Sequence, residues 1–250
     1  YPCSREFTHL CPDSRHLGGE RAGGGWAEYV AVDAANAHSI PDGVSFAAAA
    51  LTEPAAVCYQ SYRRGSMHAG HDVLVIGDGP FGLLHAVIAR ILGAKTLIVA
   101  GHHDERLARI ARYSGATTCN TRREDVGELV ATMTGGIGVD IAIEATGAGA
   151  APNIGIAALR HRGTLVIFSY IWRPEPPDFG TVSMKELNLV GACRSLDCFE
   201  PCLRWMAEGK LPVDSIVDLQ LPLERIDDAI RQLTERKKDI FKAVLLPGRH

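Results

Sequence analysis

The sequence predicts an α/β protein built on a doubly wound parallel sheet, and three observations carry that prediction. Between residues 72 and 169, apolar runs of strand length alternate with helical stretches of about 10 to 14 residues. The runs are continuously apolar, as in "DVLVIG" at 72–77, which fits strands covered on both faces. A glycine hexad, Gly77-x-Gly79-x-x-Gly82, joins that run to the helix after it.

Taken in order, residues 1–25 are polar and glycine-rich, and "WAEYVAV" at 26–32 alternates like a strand. "IPDGVSF" at 40–46 reads as a turn and a helix start, with Ser45 as N-cap. The alanine-rich helical stretch that follows is predicted to break at Glu53-Pro54, because a residue before proline is pushed from helical geometry. Strand 72–77 leads to helix 80–93, with Pro80 early and Gly93 at the end. Strand 95–100 precedes helix 104–115, with Asp104 as N-cap, and a third helix spans 124–136. Strand 139–147, helix 151–163 and strand 164–169 complete the alternation. A strand at 186–193, a helix at 198–209 and a strand–helix–strand series close the chain.

Composition excludes several classes. The chain has 250 residues, 46% hydrophobic and 22% charged, and a packed core is expected at this length. A net charge of −3 offers no basic footprint for nucleic acid or an anionic membrane. No apolar run approaches the roughly 18 to 20 residues that span a bilayer. The opening "YPCSREFTHLCPD" lacks the charged and apolar regions of a secretory signal. Seven scattered cysteines, an odd number, argue against a disulfide framework and for the cytoplasm.

The glycine turn is the first chemical signal. Gly77 permits a tight turn, Gly79 lets a pyrophosphate approach the backbone, and Gly82 lets the helix pack on the strand. Pro80 and Phe81 open the helix whose positive end would receive the phosphates. An NAD site of this type places Asp or Glu about 20 residues on, against the ribose 2′-hydroxyl. Here that place falls on Gly101, followed by His102 and His103, with Arg106 nearby. A 2′-phosphate would find room at Gly101 and cations around it, so NADP is favoured over NAD. In the alternative, Asp104 takes the acid's role from three positions further on.

Further segments, "GGGWAEYV", "IPDGVSFAAAALTEP", "VLVIGDGPFGLL", "IAIEATG", "RGTLVIFS" and "PPDFGTVSMKELNLVGA", carry a resemblance over essentially the whole chain. In that order they resemble zinc-type medium-chain dehydrogenases/reductases, in particular the sorbitol and threonine dehydrogenase branch. The resemblance implies a remnant of a GroES-like catalytic barrel at 1–56, a Rossmann NAD(P)-binding domain at 57–210, and a segment at 211–250 returning to the catalytic domain. It implies interconversion of a secondary alcohol (polyol, amino-alcohol or aminocyclitol) and a ketone, with zinc polarising the oxygen and hydride passing to the nicotinamide. By it, Thr146, Gly147, Phe168, Ser169, Cys193 and Arg194 line the nicotinamide. Glu53, in "LTEP", matches the third catalytic-zinc position, and Cys3 and Cys11 match the last pair of a four-cysteine structural zinc lobe. The family's other ligands, in a G-x-C-G loop and a G-H-E triplet, are not in this sequence. Most of the catalytic domain is therefore expected to lie upstream, and zinc to belong to the full-length enzyme.

Two other readings stay open. One is a non-catalytic NAD(P)-binding protein. The other is a zinc-free NADPH quinone reductase, against which the Cys3/Cys11 pair and "LTEP" argue. The strand "ELNLVGAC" would lie at a sheet edge, so a homodimer or homotetramer is expected.

Overall fold

The computed structural model describes residues 7–14, 16–19, 23–213, 216–235 and 240–248. The chain divides into two compact units, residues 54–193 and residues 1–53 with 194–250. The first closes at Cys193, whereas the sequence placed the end of the nucleotide domain at 210.

Unit 54–193 holds a six-stranded sheet, all parallel, in the order β3-β2-β1-β4-β5-β6. The strands are β1 (Val73–Ile76), β2 (Leu97–Gly101), β3 (Thr117–Asn120), β4 (Val139–Glu144), β5 (Leu159–Ile167) and β6 (Asn188–Gly191). Central β1 pairs with both β2 and β4, setting Val75 against Val99 and Ile143. Every residue of β1 and β2 is buried, which explains their unbroken apolar runs. Helices cover the faces: α3 (Pro80–Ile91), α4 (Asp104–Ser114), α5 (Val126–Thr134) and α6 (Ala151–Ala158). The body of α2 (Thr52–Arg64) adds Ala55, Ala56, Cys58 and Tyr62 to the core, and the Tyr62 hydroxyl donates to the His85 carbonyl at 2.7 Å. Each fully buried leucine or isoleucine, such as Leu74, Ile98 or Ile143, contributes about 2 kcal/mol. Strand order reverses between β1 and β4, and a crevice opens there at the carboxyl ends of the strands.

Four local expectations change. β3 was not anticipated, because "TTCN" is short and mostly polar. The helix expected at 151–163 ends at Ala158, and β5 begins at once, held to β4 by Arg160 Nε donating to Asp140 Oδ1 at 2.6 Å. The short helix α7 (Phe179–Met184) was not anticipated; it is capped by Asp178, which accepts from the Thr181 N–H. Asp104 is the first helical residue and not the cap of α4; His103 holds the cap position.

The second unit contains α1 (Phe46–Ala49), the first residues of α2, α8 (Phe199–Ala207), α9 (Ile226–Thr234) and a parallel pair, β7 (Val217–Pro222) and β8 (Lys242–Leu246). Ser45 caps α1 as expected, its Oγ accepting from the Ala48 N–H at 3.0 Å. The helical break lies at Ala50–Leu51, earlier than expected. Pro54 sits in the first turn of α2, where its missing N–H has no bond to make. Residues 26–32 form no strand: no described neighbour offers them a ladder, and Trp26 and Tyr29 are exposed. No helix among the described residues is long and apolar enough to cross a membrane.

Candidate functional site: the crevice at the end of the first strand

The site starts with β1 running into Gly77. Gly77 has φ +137°, and a Cβ there would lie 2.8 Å from the Ala145 carbonyl oxygen, so the turn admits glycine only. A Cβ at Gly82 would run into the Gly77 carbonyl, and its absence lets α3 pack against the turn. Gly79 differs: a Cβ there would meet nothing within 4 Å. Its open side marks space in front of α3, where Gly79 is the cap and Pro80 the first helical residue. The first-turn N–H groups of a twelve-residue helix, lacking acceptors of their own, point there. Phe81 packs on Phe168, with ring centroids 5.0 Å apart.

The crevice encloses about 370 Å³ and draws its walls from the turns after β1, β2, β3 and β4. Gly77, Gly79, Gly101, His102, His103, Arg106 and Thr146 all line it, so these sequence-predicted positions converge. Two polar lining residues were not foreseen from the sequence, Thr121 and Asp78. Asp78 Oδ2 accepts from the N–H groups of His102 and His103, each at 2.7 Å, and from His103 Nδ1 at 3.1 Å. Burial acts to raise its pKa, but the two N–H groups and the His103 ring outweigh it and hold the carboxyl below the ordinary carboxylate value.

Asp104, the alternative ribose acid, turns elsewhere. Its carboxylate accepts from Asn120 Nδ2 at 2.6 Å and from both terminal nitrogens of Arg123, and these bonds lower its pKa.

The other strand ends are organised by a buried acid that the sequence reading quoted in "EATG" without assigning it a role. Glu144 is fully buried at the end of β4. Its Oε1 accepts from the Thr146 N–H at 2.6 Å, the Thr146 hydroxyl at 2.7 Å and the Gly147 N–H at 2.8 Å. Its Oε2 accepts from the Ser169 N–H at 3.4 Å. One carboxylate thus ties the loop after β4 to the end of β5, fixing Thr146, Gly147 and Ser169 together. Phe168 meets Phe81 and, edge-on at 4.8 Å, His85. Cys193 follows β6, its Sγ 3.5 Å from the Tyr170 hydroxyl. Arg194 falls in the second unit. Its guanidinium donates to the His9 carbonyl at 2.7 Å and to Ser14 Oγ at 3.0 Å, and it contacts His16 Nε2, so it gathers these three residues.

The metal expectations fare differently. Cys3 lies outside the described residues, and Cys11 is a half-buried free thiol. Glu53 is exposed, yet partial desolvation raises its carboxyl pKa, countered in part by Lys242. Among the described residues, the one group of three ligand-type side chains close enough to share an ion is Asp78, His102 and His103. Glu53 belongs to no such group, so the described residues do not fit a catalytic zinc there. Burial raises the Cys202 thiol to about 12, with Cys198 adding to it, so it is no nucleophile at neutral pH.

A family model described as zinc-binding dehydrogenase matches residues 80–208. The chain belongs to that family. The sorbitol dehydrogenase of Bacillus subtilis (strain 168) is 28% identical to this dehydrogenase over 248 residues, covering 99% of this chain and 70% of that one. An alcohol dehydrogenase from Escherichia coli CFT073, solved with NADH, superposes with a TM-score of 0.89 at 26% identity, covering 98% of this chain and 72% of that chain. A protein described as a zinc-binding dehydrogenase from Sinorhizobium meliloti 1021, solved with NADP, gives 0.87 at 25% identity, covering 98% and 72%. This dehydrogenase is thus an oxidoreductase of the alcohol dehydrogenase type, acts on a small molecule, and uses a nicotinamide dinucleotide.

Proposed function

We propose that the crevice beside Gly79 holds the coenzyme, with its diphosphate against the amino end of α3. We further propose that the protein interconverts a secondary alcohol of the polyol, amino-alcohol or aminocyclitol class and its ketone by hydride transfer to the nicotinamide. The observation carrying this reading is the open side of Gly79 before a helix amino end, within a crevice of about 370 Å³ where the strand order reverses. Gly77, Gly79, Pro80, Phe81 and Gly82 form the diphosphate cradle. Thr146, Gly147, Phe168, Ser169 and Cys193 face the nicotinamide half, the first two and Ser169 being held by Glu144. The polyol class is supported by the likeness to a sorbitol dehydrogenase.

Glu53 keeps its proposed place as a zinc-ligand position of the family, and Cys3 and Cys11 theirs in a partial structural lobe. No step is assigned to the metal, because no second ligand stands with Glu53 among the described residues. The second reading raised by the sequence is a coenzyme-binding protein without alcohol turnover. The exposed edge strand β6 supports assembly as a dimer or tetramer. The absence of a disulfide among the described cysteines supports a reducing, cytoplasmic setting.

Titration of the protein with NADH, followed by assays of sorbitol and related polyols with NAD+ and NADP+, tests both parts. Saturable binding with polyol turnover is expected. Binding without turnover of any alcohol, with or without added zinc, would leave the second reading. Metal-independent quinone reduction would indicate the zinc-free NADPH quinone reductase. No binding at millimolar coenzyme would overturn the crevice assignment.

A further inference from the structure

The crevice has no acid at the end of β2, yet it has a carboxylate in the same place. Gly101 ends β2 with a backbone outside the left-handed region, so conformation alone would allow any residue there. Space does not: the three nearest atoms that a Cβ at Gly101 would meet all belong to the side chain of Asp78. Asp78 therefore fills the volume that a side chain at position 101 would take, entering from the glycine turn instead of the neighbouring strand. The two positions are alternatives, and only one can carry a side chain.

The orientation of Asp78 is fixed. Oδ2 is held by the N–H groups of His102 and His103 and by the His103 ring. Oδ1 has no protein partner among the described residues, and the residue lines the crevice. Asp104, the acid the sequence offered as the alternative, is committed to Asn120 and Arg123.

We infer that Asp78 is the ribose acceptor of this dehydrogenase: its carboxylate receives hydrogen bonds from the free diol of the coenzyme's adenosine ribose and selects NAD(H) against its 2′-phosphorylated counterpart. The inference rests on the coenzyme reading of the crevice proposed above. It also reverses the expectation drawn from Gly101. The room left by that glycine is occupied by a negative group, and the His102 and His103 N–H groups that could have received a phosphate already donate to it. Arg106 lines the same crevice and would attract a 2′-phosphate. Asp78 prevails because it is 6% exposed and rigidly held, so its charge is less screened than that of the longer, partly exposed arginine.

The test is a pair of titrations of the 250-residue protein, with NADH and with NADPH, read by fluorescence. The wild type is expected to bind NADH at least about tenfold more tightly. Asp78→Ala should lower the NADH-to-NADPH preference by about tenfold or more, and Asp78→Asn, which keeps the shape, should move it the same way by less. Asp78→Ala/Gly101→Asp relocates the carboxylate to the end of β2 and should restore the preference. Melting temperatures identify a variant that fails to fold, in which case the asparagine variant and the double variant carry the test. A wild type that prefers NADPH overturns the inference. So does a folded Asp78→Ala protein with an unchanged preference; in either case coenzyme binding persists and the crevice assignment stands. A wild type that takes up neither coenzyme overturns that assignment, and this inference with it.

Discussion

The central strands of unit 54–193 and the segment 26–32 of the other unit both carry a strand pattern, the first continuously apolar and the second alternating, and they meet opposite fates. In β1 and β2 every residue is buried and every strand has a partner on each side. In 26–32, Trp26 is 69% exposed and Tyr29 82%, and no strand forms. An apolar run becomes a strand when a ladder and a covering helix are available to it; pattern alone supplies neither. The chemistry follows the same division. The glycine turn, Asp78 and Glu144 sit at the ends of paired strands in one unit, whereas Glu53 belongs to the other.

The sharpest way to break this comparison is to cut the polar anchor of the paired strands. Glu144→Ala leaves three N–H groups and a hydroxyl around it without their acceptor, and should cost about 4 kcal/mol or more, read by denaturant unfolding. A loss below about 1 kcal/mol would show that the strand ends are not held through this carboxylate. Next in size, Leu74→Ala in the fully buried β1 should cost about 3 kcal/mol.

His85 sharpens the same point through pH. It is fully buried on α3, with neither ring nitrogen partnered among the described residues, packed against Tyr62 and Phe168. Burial pushes its pKa down from 6.5 to about 3. The unfolded chain therefore binds a proton that the folded chain refuses between those values. Stability should fall as pH drops from 6.5 toward 3, by up to about 1.4 kcal/mol per pH unit. His85→Leu should flatten that slope in a series of melts across pH. An unchanged slope would mean that the ring is protonated in the fold. The smallest effect belongs to the other unit: Tyr29→Ala should change stability by less than about 0.5 kcal/mol. A loss comparable to that of Leu74→Ala would erase the contrast.

Legibility in the sequence tracks the same division. β1 and β2 were readable because burial on both faces demands unbroken apolar runs, and β4 because apolar residues still dominate "VDIAIE". β3 and the start of β5 were not, since "TTCN" and "LRHRG" owe their pairing to neighbours that pattern does not show. Residues 26–32 alternate correctly and find no ladder. At the site, the glycine turn and its partners at 101–106 were visible. Asp78 was overlooked because the ribose acid was sought at the end of β2. Its signal was an acid inside the glycine hexad combined with a glycine where the acid should stand. Glu144 carried a signal too, an acid closing the apolar stretch "IAI" of β4. Arg194 was expected beside the nicotinamide, and nothing local to it could reveal that His9 and Ser14 would claim its guanidinium.

The central claim, that the coenzyme diphosphate lies against the amino end of α3, has a direct test in Gly79→Leu. A Cβ at that position meets nothing within 4 Å and the backbone is extended, so the fold should melt as the wild type does. The added side chain would fill the space assigned to the diphosphate, and NADH binding should weaken by about 100-fold or more. A folded Gly79→Leu protein that binds NADH as tightly as the wild type would contradict the account.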